Sequence, residues 1–369
     1  MSAPPALFTA EDHAFMARAL ELAARGSCTT SPNPRVGCVI TQNGSIVGEG
    51  FHLRAGEPHA EIHALAVAAA AARGATAYVT LEPCNHQGRT PPCVDSLISA
   101  GIARVVAAME DPNPQVAGAG LKRLAASGVS VSVGLMAAAA QELNLGFISR
   151  MTRGRPWVRL KVAASLDGKT ALASGASQWI TSPDARKDAH RARAMACAIL
   201  TGVGTVREDN PALTVREVPC ERMPMRVVVD SRLATPPAAR LFDGTGQVMI
   251  FHAERDAARE AALLARGAKL CHCPGTDNKV DLAAMLNELG RLGVNELLVE
   301  GGAGLNGALL SAGLVDELLI YLAPAILGSH GRGMFDLAAL TSLDERYNLD
   351  IRELRRVGQD IRLLARLKS

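Results

Sequence analysis

The stretch that most restricts the fold is Pro58-His59-Ala60-Glu61-Ile62-His63, which opens an alanine-rich helical run, taken together with Glu82-Pro83-Cys84 and, behind Pro91-Pro92, Cys93. An imidazole, a carboxylate and two thiols stand here at helix starts and at the end of a short apolar run. Such groups meet when strands and helices alternate and the strand ends face the helix starts, so this part of the chain reads as a layered α/β domain.

The surrounding pattern agrees. Apolar positions Phe15, Met16, Ala19, Leu20 and Ala23 recur at helical spacing between residues 10 and 25. Residues 36–50 read as a hairpin about Asn43-Gly44, the pair that favours a type I′ turn. A helix over about 60–73 ending at Gly74, a strand over 76–82, a helix stopped by Gly101, the strand ARVVAAME, the helix GLKRLAASG, the strand VSVSVG and a helix over 135–149 follow. The alanine-rich helix interiors are what helix propensity favours. Gly154 and Pro156 break the periodicity, which puts a boundary at about 147–156 and two domains at 1–150 and 155–369. Beyond it the alternation resumes with RLKVAAS, a helix over 183–196, CAILTG, MRVVVD, QVMIFH, helices near 281–292 and 305–312 with NELLVE between them, and DELLIYLAP. Two antiparallel edge strands about Gly358-Gln359 close the pattern.

Composition narrows the class. The chain has 369 residues, 48% of them hydrophobic, a net charge of +3 and scattered arginines, which fits a globular enzyme and gives no basic stripe for nucleic acid. No leader pattern and no run of about 18 apolar residues is seen, so a cytoplasmic protein without a membrane partner is expected. Eight cysteines are too sparse for a disulfide framework, and Cys28, Cys38 and Cys220 read as free thiols.

One imidazole and two thiolates suit zinc and leave a fourth position open, while a carboxylate that does not bind the metal moves protons. His59, Cys84 and Cys93 fill the first role and Glu61 the second. The arrangement is similar to the H-x-E and P-C-x-x-C pattern of zinc nucleobase deaminases, except that eight residues separate the cysteines. The insert is turn-rich, and Cys93 at a helix start gains from the helix dipole. His63, four residues after His59, is a second candidate ligand; His86 reads as a loop donor. Asn33 between Pro32 and Pro34 reads equally as a turn residue or a pocket residue. His52, Arg54, Arg89 and Lys122 are unranked candidates for a phosphate.

In the second half, KVAASLDGKTAL brings Lys161, Ser165 and Asp167, SGASQWIT brings Trp179 and Thr181, and TVREDNPALTVR ends a strand with polar groups. Gly302-Ala303-Gly304-Leu305-Asn306-Gly307 has the G-x-G-x-x-G form between a strand and a helix, where backbone N–H groups can cradle a pyrophosphate. Its place in a late crossover, and Asp316 and Glu317 only some ten residues on, do not suit the doubly wound fold. A tight turn without a ligand is the other reading.

TSPNPRVGCVI, GFHLRAGEPHAE and EPCNHQGRTPPC resemble the deaminase half of the bifunctional deaminase/reductase family of riboflavin biosynthesis, and the C-terminal half resembles its reductase. The likeness covers nearly the whole chain, and GRTPPC accounts for the long cysteine spacing. It implies a cytidine-deaminase-like three-layer domain followed by a dihydrofolate-reductase-like α/β domain. It implies one zinc ion on His59, Cys84 and Cys93, proton transfer by Glu61, and Asn33 in the pyrimidine pocket. It places NADPH near Ala163, Trp179, Thr205, Asp209, Ser231 and Gly302 to Gly307. The sugar phosphate falls near Ser177, Arg193, Leu213, Arg216 and Glu300, with Lys161 and Asp167 in the reductase pocket. The expected partners are phosphorylated pyrimidines, and the sequence leaves room for a homo-oligomer.

The proton donor of the reduction is not identified by sequence, although Asp209 and Glu300 have suitable chemistry. Arg232, after MRVVVD, reads either as a reader of the NADPH 2′-phosphate or as a solvated surface residue, with Asp230 turned elsewhere. A nucleic-acid deaminase would need a basic, aromatic surface, and only 3% of residues are aromatic. A zinc-stabilised binding protein would have no use for Glu61 beside an open coordination position.

Overall fold

The structure is a computed structural model in which residues 8–85, 92–114 and 116–368 are described. His86 and Arg89 lie outside the described residues. The chain divides into two compact units, Met1–Gly154 and Arg155–Ser369.

The first unit runs α1 (Ala10–Ala24), β1 (Gly37–Gln42), β2 (Ser45–Phe51), α2 (Ala60–Ala68), β3 (Thr76–Val79), α3 (Cys93–Ser99), β4 (Arg104–Ala107), α4 (Ala119–Ala126), β5 (Ser130–Val133), α5 (Ala137–Leu143) and α6 (Leu145–Arg153). Thr9 and Asp12 close a capping box at the start of α1. The buried Asp12 carboxylate also accepts hydrogen bonds from Tyr78 Oη at 2.7 Å and Arg104 Nη1 at 2.9 Å, tying α1 to β3 and β4. The strand order is β2-β1-β3-β4-β5. β1 is antiparallel to β2 and β3, and β3 to β5 run parallel. Asn43 and Gly44 both have positive φ, 50° and 75°, as the expected hairpin turn requires.

Alternation along the strands makes two cores. Cys38, Ile40, Val79 and Val105 pack with Ala60, Ala64, Leu97 and Leu124 of α2, α3 and α4. Val39, Tyr78 and Val106 face the other way, against Met16 and Ala19 of α1 and Ala140 and Phe147 of α5 and α6. The result is three layers, helices on both faces of one sheet.

Two helices differ from the sequence reading. The one expected over 135–149 is broken at Asn144 (φ −120°, ψ 20°), whose side chain accepts from the Arg35 N–H at 2.8 Å and donates to the Arg35 carbonyl at 3.0 Å. The one expected over about 60–73 stays α-helical only to Ala68; Ala69 has φ 47° and a 3₁₀ turn completes it. Propensity is also not the whole reason for its alanines. Ala60, Ala64, Ala68 and Ala72, one turn apart, are all buried, and α2 lies so close to Gly48 and Gly50 of β2 that larger side chains would not fit.

The second unit contains β6 (Trp157–Ser165), β7 (Lys169–Ala171), α7 (Pro183–Met195), β8 (Ala198–Gly202), α8 (Val203–Asp209), β9 (Met225–Val229), β10 (Val248–His252), α9 (Ala257–Leu264), β11 (Ala268–His272), α10 (Leu282–Arg291), β12 (Glu296–Val299), α11 (Ala303–Ser311), β13 (Glu317–Ala323), β14 (Arg332–Gly333), β15 (Leu349–Val357) and β16 (Asp360–Leu367). Nine strands form one sheet in the order β11-β10-β9-β8-β12-β6-β13-β16-β15. β11 to β13 in that order are parallel, and β16 and β15 are antiparallel additions. Of the two C-terminal strands only β15 lies at an edge; β16, read from sequence as a second edge, lies between β13 and β15. TVRED belongs to α8, a helix the sequence reading passed over along with α9 and the short strand β11.

Candidate active sites

The helix start of α2, the loop after β3 and the helix start of α3 bring three ligand atoms together. His59 is the N-cap of α2 and its side chain makes no capping bond, which leaves the ring turned to the site. Its Nδ1 lies 3.3 Å from Cys93 Sγ and 3.5 Å from Cys84 Sγ, and all three ligand atoms fall within 4.8 Å of one another. Ligands at ordinary zinc distances in a tetrahedron stand about 3.5 Å apart for nitrogen and sulfur, so this set fits a zinc ion with one position to spare. The Cys93 N–H donates to Cys84 Sγ at 3.3 Å. Hydrogen bonds from the Cys93 thiol and from His59 pull Cys84 down to about 4, and the same coupling pushes Cys93 up. The pair thus favours one thiolate, and a bound cation would displace the remaining proton. His63 is outside the cluster, with its Cβ against Gly50.

Glu61 is 3% exposed, in the first turn of α2, and its Oε2 has no hydrogen-bond partner among the described residues. Burial pushes its carboxyl up to about 7, with His59 opposing. An orphaned buried oxygen next to the ligand cluster is what a proton carrier there would present before its substrate arrives.

A cavity of about 530 Å³ opens over this cluster, lined by Asn33, His52, His59, Glu61, Cys84, Asp111, Asn113 and Arg150 among others. The His52 ring N–H faces the Pro58 carbonyl at 3.1 Å, and its Nε2 meets Asn33 Nδ2 at 3.1 Å. Burial lowers the His52 pKa, so the ring stays neutral and orients the Asn33 amide; it offers no charge to a phosphate. Arg54 stands 3.9 Å from Glu57 on the surface. Asp111, Asn113 and Arg150 went unread in the sequence. A signal for two of them was present, because Asp111-Pro112-Asn113-Pro114 repeats the Pro32-Asn33-Pro34 pattern.

In the second unit the parallel strands β9, β8, β12 and β6 are neighbours, so the groups at their carboxyl ends lie along one side of the sheet. Ser231 follows β9, Thr205 sits in α8 after β8, Gly302 caps α11 after β12, and Ala163 lies in β6. Thr205 faces Gly302, where an added Cβ would lie 3.7 Å from its hydroxyl. Gly307 has a packing reason of its own: a Cβ there would come within 1.9 Å of the Asp336 carbonyl oxygen. Gly304, Ala303, Leu305 and Asn306 form the first turns of α11, and Asn306 donates to the Met334 carbonyl at 3.1 Å.

Arg193 grips Glu300 with two bonds, 2.6 and 2.8 Å, and donates to the Thr214 carbonyl at 2.9 Å, while Lys161 Nζ is 3.9 Å from Glu300. Burial works to raise the Glu300 pKa, but Arg193 and Lys161 prevail and hold it at about 2. Burial depresses Lys161. Asp167 accepts from Ser165 Oγ at 2.5 Å and from the Leu327 and Gly328 amides, which shapes its loop. Ser177 reaches Asp209 at 3.4 Å, and Trp179, 69% exposed, is covered on one face by Arg186 at 4.5 Å. Leu213 is buried with φ 50°, and the Arg216 N–H donates to His190 Nδ1 at 3.2 Å. Asp230 turns inward and accepts from Ala234 and Thr235, Ser231 Oγ accepts from the Val280 amide, and Arg232 is exposed 3.3 Å from Glu254.

The fold and the two sites define a zinc-type deaminase unit followed by a dihydrofolate-reductase-like unit. Residues 9–109 match the cytidine and deoxycytidylate deaminase zinc-binding region, and residues 156–363 match the RibD C-terminal domain. The chain is 50% identical over 363 residues to the riboflavin biosynthesis protein RibD of Escherichia coli K12, covering 95% of this chain and 98% of that protein. It is 48% identical over 369 residues to RibD of Haemophilus influenzae, covering 96% and 97%. A solved structure of Acinetobacter baumannii RibD superposes with a TM-score of 0.89 at 40% identity, covering 97% of this chain and 99% of that one. The Thermotoga maritima diaminohydroxyphosphoribosylaminopyrimidine deaminase/5-amino-6-(5-phosphoribosylamino)uracil reductase gives 0.86 at 33% identity, with 97% and 99% covered. The chain belongs to the RibD family, the bifunctional deaminase/reductases of riboflavin biosynthesis, and works with zinc in one unit and NADPH in the other.

Proposed function

We propose that the first unit hydrolyses the ring amine of 2,5-diamino-6-(5-phosphoribosylamino)pyrimidin-4(3H)-one to a carbonyl, releasing ammonia, and that the second reduces the ribosyl group of the product to ribityl. The observation that carries the first step is the unpartnered Glu61 Oε2 beside the converging His59, Cys84 and Cys93 atoms. In this reading those three hold zinc, which when bound makes hydroxide available near neutral pH. Glu61 takes a proton from the attacking water on its free oxygen and delivers it to the ring nitrogen, then takes a second proton from the newly added hydroxyl and delivers it to the amine, which departs as ammonia while the carbonyl forms. Asn33, oriented by His52, holds the pyrimidine edge, and Asp111 and Asn113 close the pocket.

In the second unit NADPH supplies the hydride. We place it along Ala163, Trp179, Thr205, Asp209, Ser231 and Gly302 to Gly307, with the sugar phosphate near Ser177, Arg193, Leu213, Arg216 and Glu300. The ion pairs on Glu300 support an orienting role for it, because a carboxylate held at about 2 is a poor proton donor at neutral pH. Lys161, its ammonium destabilised by burial, is the better donor. The Arg232–Glu254 pair favours a surface role for Arg232 over reading the 2′-phosphate.

No helix among the described residues is long and apolar enough to cross a membrane. The cysteines form no disulfide among the described residues, which suits the reducing cytoplasm, and the exposed strand β15 would suit a homo-oligomer. The test is an assay of the purified chain with the diaminopyrimidinone phosphate, with and without NADPH, following ammonia and cofactor absorbance separately. Ammonia in both arms and NADPH oxidation in one support the reading; no ammonia from the zinc-loaded chain overturns it.

A further inference from the structure

Glu82 lies two residues before Cys84, is 4% exposed, and has no cation paired with it among the described residues. Its carboxylate is satisfied instead by four main-chain amides. Oε2 accepts from Asp111 N at 3.0 Å and Gly118 N at 2.9 Å; Oε1 accepts from Gly120 N at 2.8 Å and Leu121 N at 3.4 Å. Gly118 is the N-cap of α4, so three of the donors belong to that helix start, while the fourth, Asp111, lies in the loop after β4. One buried carboxylate therefore joins both ends of the segment that carries Asp111, Asn113 and Val116 into the cavity. Gly120 completes the fit, because a Cβ there would come within 2.2 Å of the Pro83 carbonyl oxygen.

We infer that Glu82 is a positioning residue for the deamination, setting the pocket wall made by Asp111, Asn113 and Val116 against the metal-ligand loop through four main-chain hydrogen bonds. The inference rests on the deaminase reading above. Removing the negative charge does not touch the ligand atoms or Glu61. It deprives the segment of its common acceptor, so substrate binding suffers more than the chemical step.

The test is Glu82→Gln in the full, zinc-loaded chain. The amide presents two N–H donors to amides that are themselves donors, and one pair of bonds is lost whichever way it turns. KM for the diaminopyrimidinone phosphate should rise about tenfold or more, with kcat within about threefold, zinc per chain unchanged and reductase turnover unchanged. Gly120→Ala, which keeps Glu82 but pushes the helix start off Pro83, should give the same split. An unchanged KM in both variants, or a fall in zinc and kcat at constant KM, overturns the inference. Amide exchange in the wild-type chain gives a reading that needs no variant: Asp111, Gly118 and Gly120 should exchange as slowly as β4, and loop-like exchange refutes the clamp. A wild-type chain that releases no ammonia defeats the deaminase reading itself; normal wild-type deamination with indifferent variants defeats only the role of Glu82.

Discussion

Gly50→Ala should cripple the deaminase from the far side of its metal site. Gly50 lies in β2 directly under the start of α2, and a Cβ there would stand 2.4 Å from the Ala60 carbonyl oxygen, 2.6 Å from Ala64 N and 2.7 Å from His63 Cβ. The first two obstacles are backbone, so no side chain can swing aside. Ordinary contact begins near 3.4 Å, and 3.4 less 2.4 leaves a shift of about 1 Å for either the strand or the helix to make. β2 is paired with β1 along its length, whereas Ala60 sits between His59 and Glu61 at a helix end. The displacement therefore falls on the residues of the site. A misplacement of about 1 Å costs on the order of 10²-fold in rate, and overpacking of this kind costs about 1–3 kcal/mol of stability. Deaminase kcat/KM and zinc per chain should both fall, while NADPH oxidation on supplied 5-amino-6-(5-phosphoribosylamino)uracil continues as in the wild type. Deamination within about threefold of wild type at full zinc content would show that β2 yields instead, and would refute the argument.

Other substitutions separate the remaining roles. Glu61→Gln should keep zinc by elemental analysis and lose about 10²–10⁴-fold in deamination, with reduction unaffected; loss of zinc would make Glu61 a ligand. His59→Ala should lose zinc and deamination together, whereas His63→Ala, outside the ligand cluster, should keep its zinc, and equal losses would show a fourth ligand. Glu300, held at about 2 against an ordinary 4.5, binds protons less readily folded than unfolded, so its contribution is complete above about 4.5 and is lost as pH falls toward 2. That contribution is on the order of 3 kcal/mol. Urea titrations between pH 6 and pH 3 should show the wild-type reductase transition weakening more than that of Glu300→Gln, and parallel pH curves would contradict the assignment.

The deaminase half was legible because its signals are local. His59 and Cys93 stand at helix starts and Cys84 in the loop after β3, and the Asn43-Gly44 turn fixes its own hairpin. What sequence missed depends on distant partners. The break at Asn144 follows from a bond to Arg35, and the alanine stripe of α2 reports glycines on another strand. The reductase was less legible for the same reason. Arg193, Lys161 and Glu300 come from three separate elements, and nothing in their own neighbourhoods announces that they meet. Residues such as Ser177 and Leu213 could be named only by resemblance. The internal position of β16 was misread because a hairpin's sequence does not say which of its strands joins the sheet.

The place of β6 bears on how the chain acquires its two activities. β6 lies between β12 and β13, and its Val158, Leu160, Val162 and Ala164 are buried in the finished sheet. Both partners come roughly a hundred residues or more later, whereas β1 meets β2 after a two-residue turn. During synthesis and refolding this apolar strand must wait with both edges open, the condition under which α/β chains misassociate. The deaminase can be native while the reductase is still searching for its central pairing, so a stalled or heat-shocked population would deaminate without reducing and pass on a deaminated intermediate it cannot yet use.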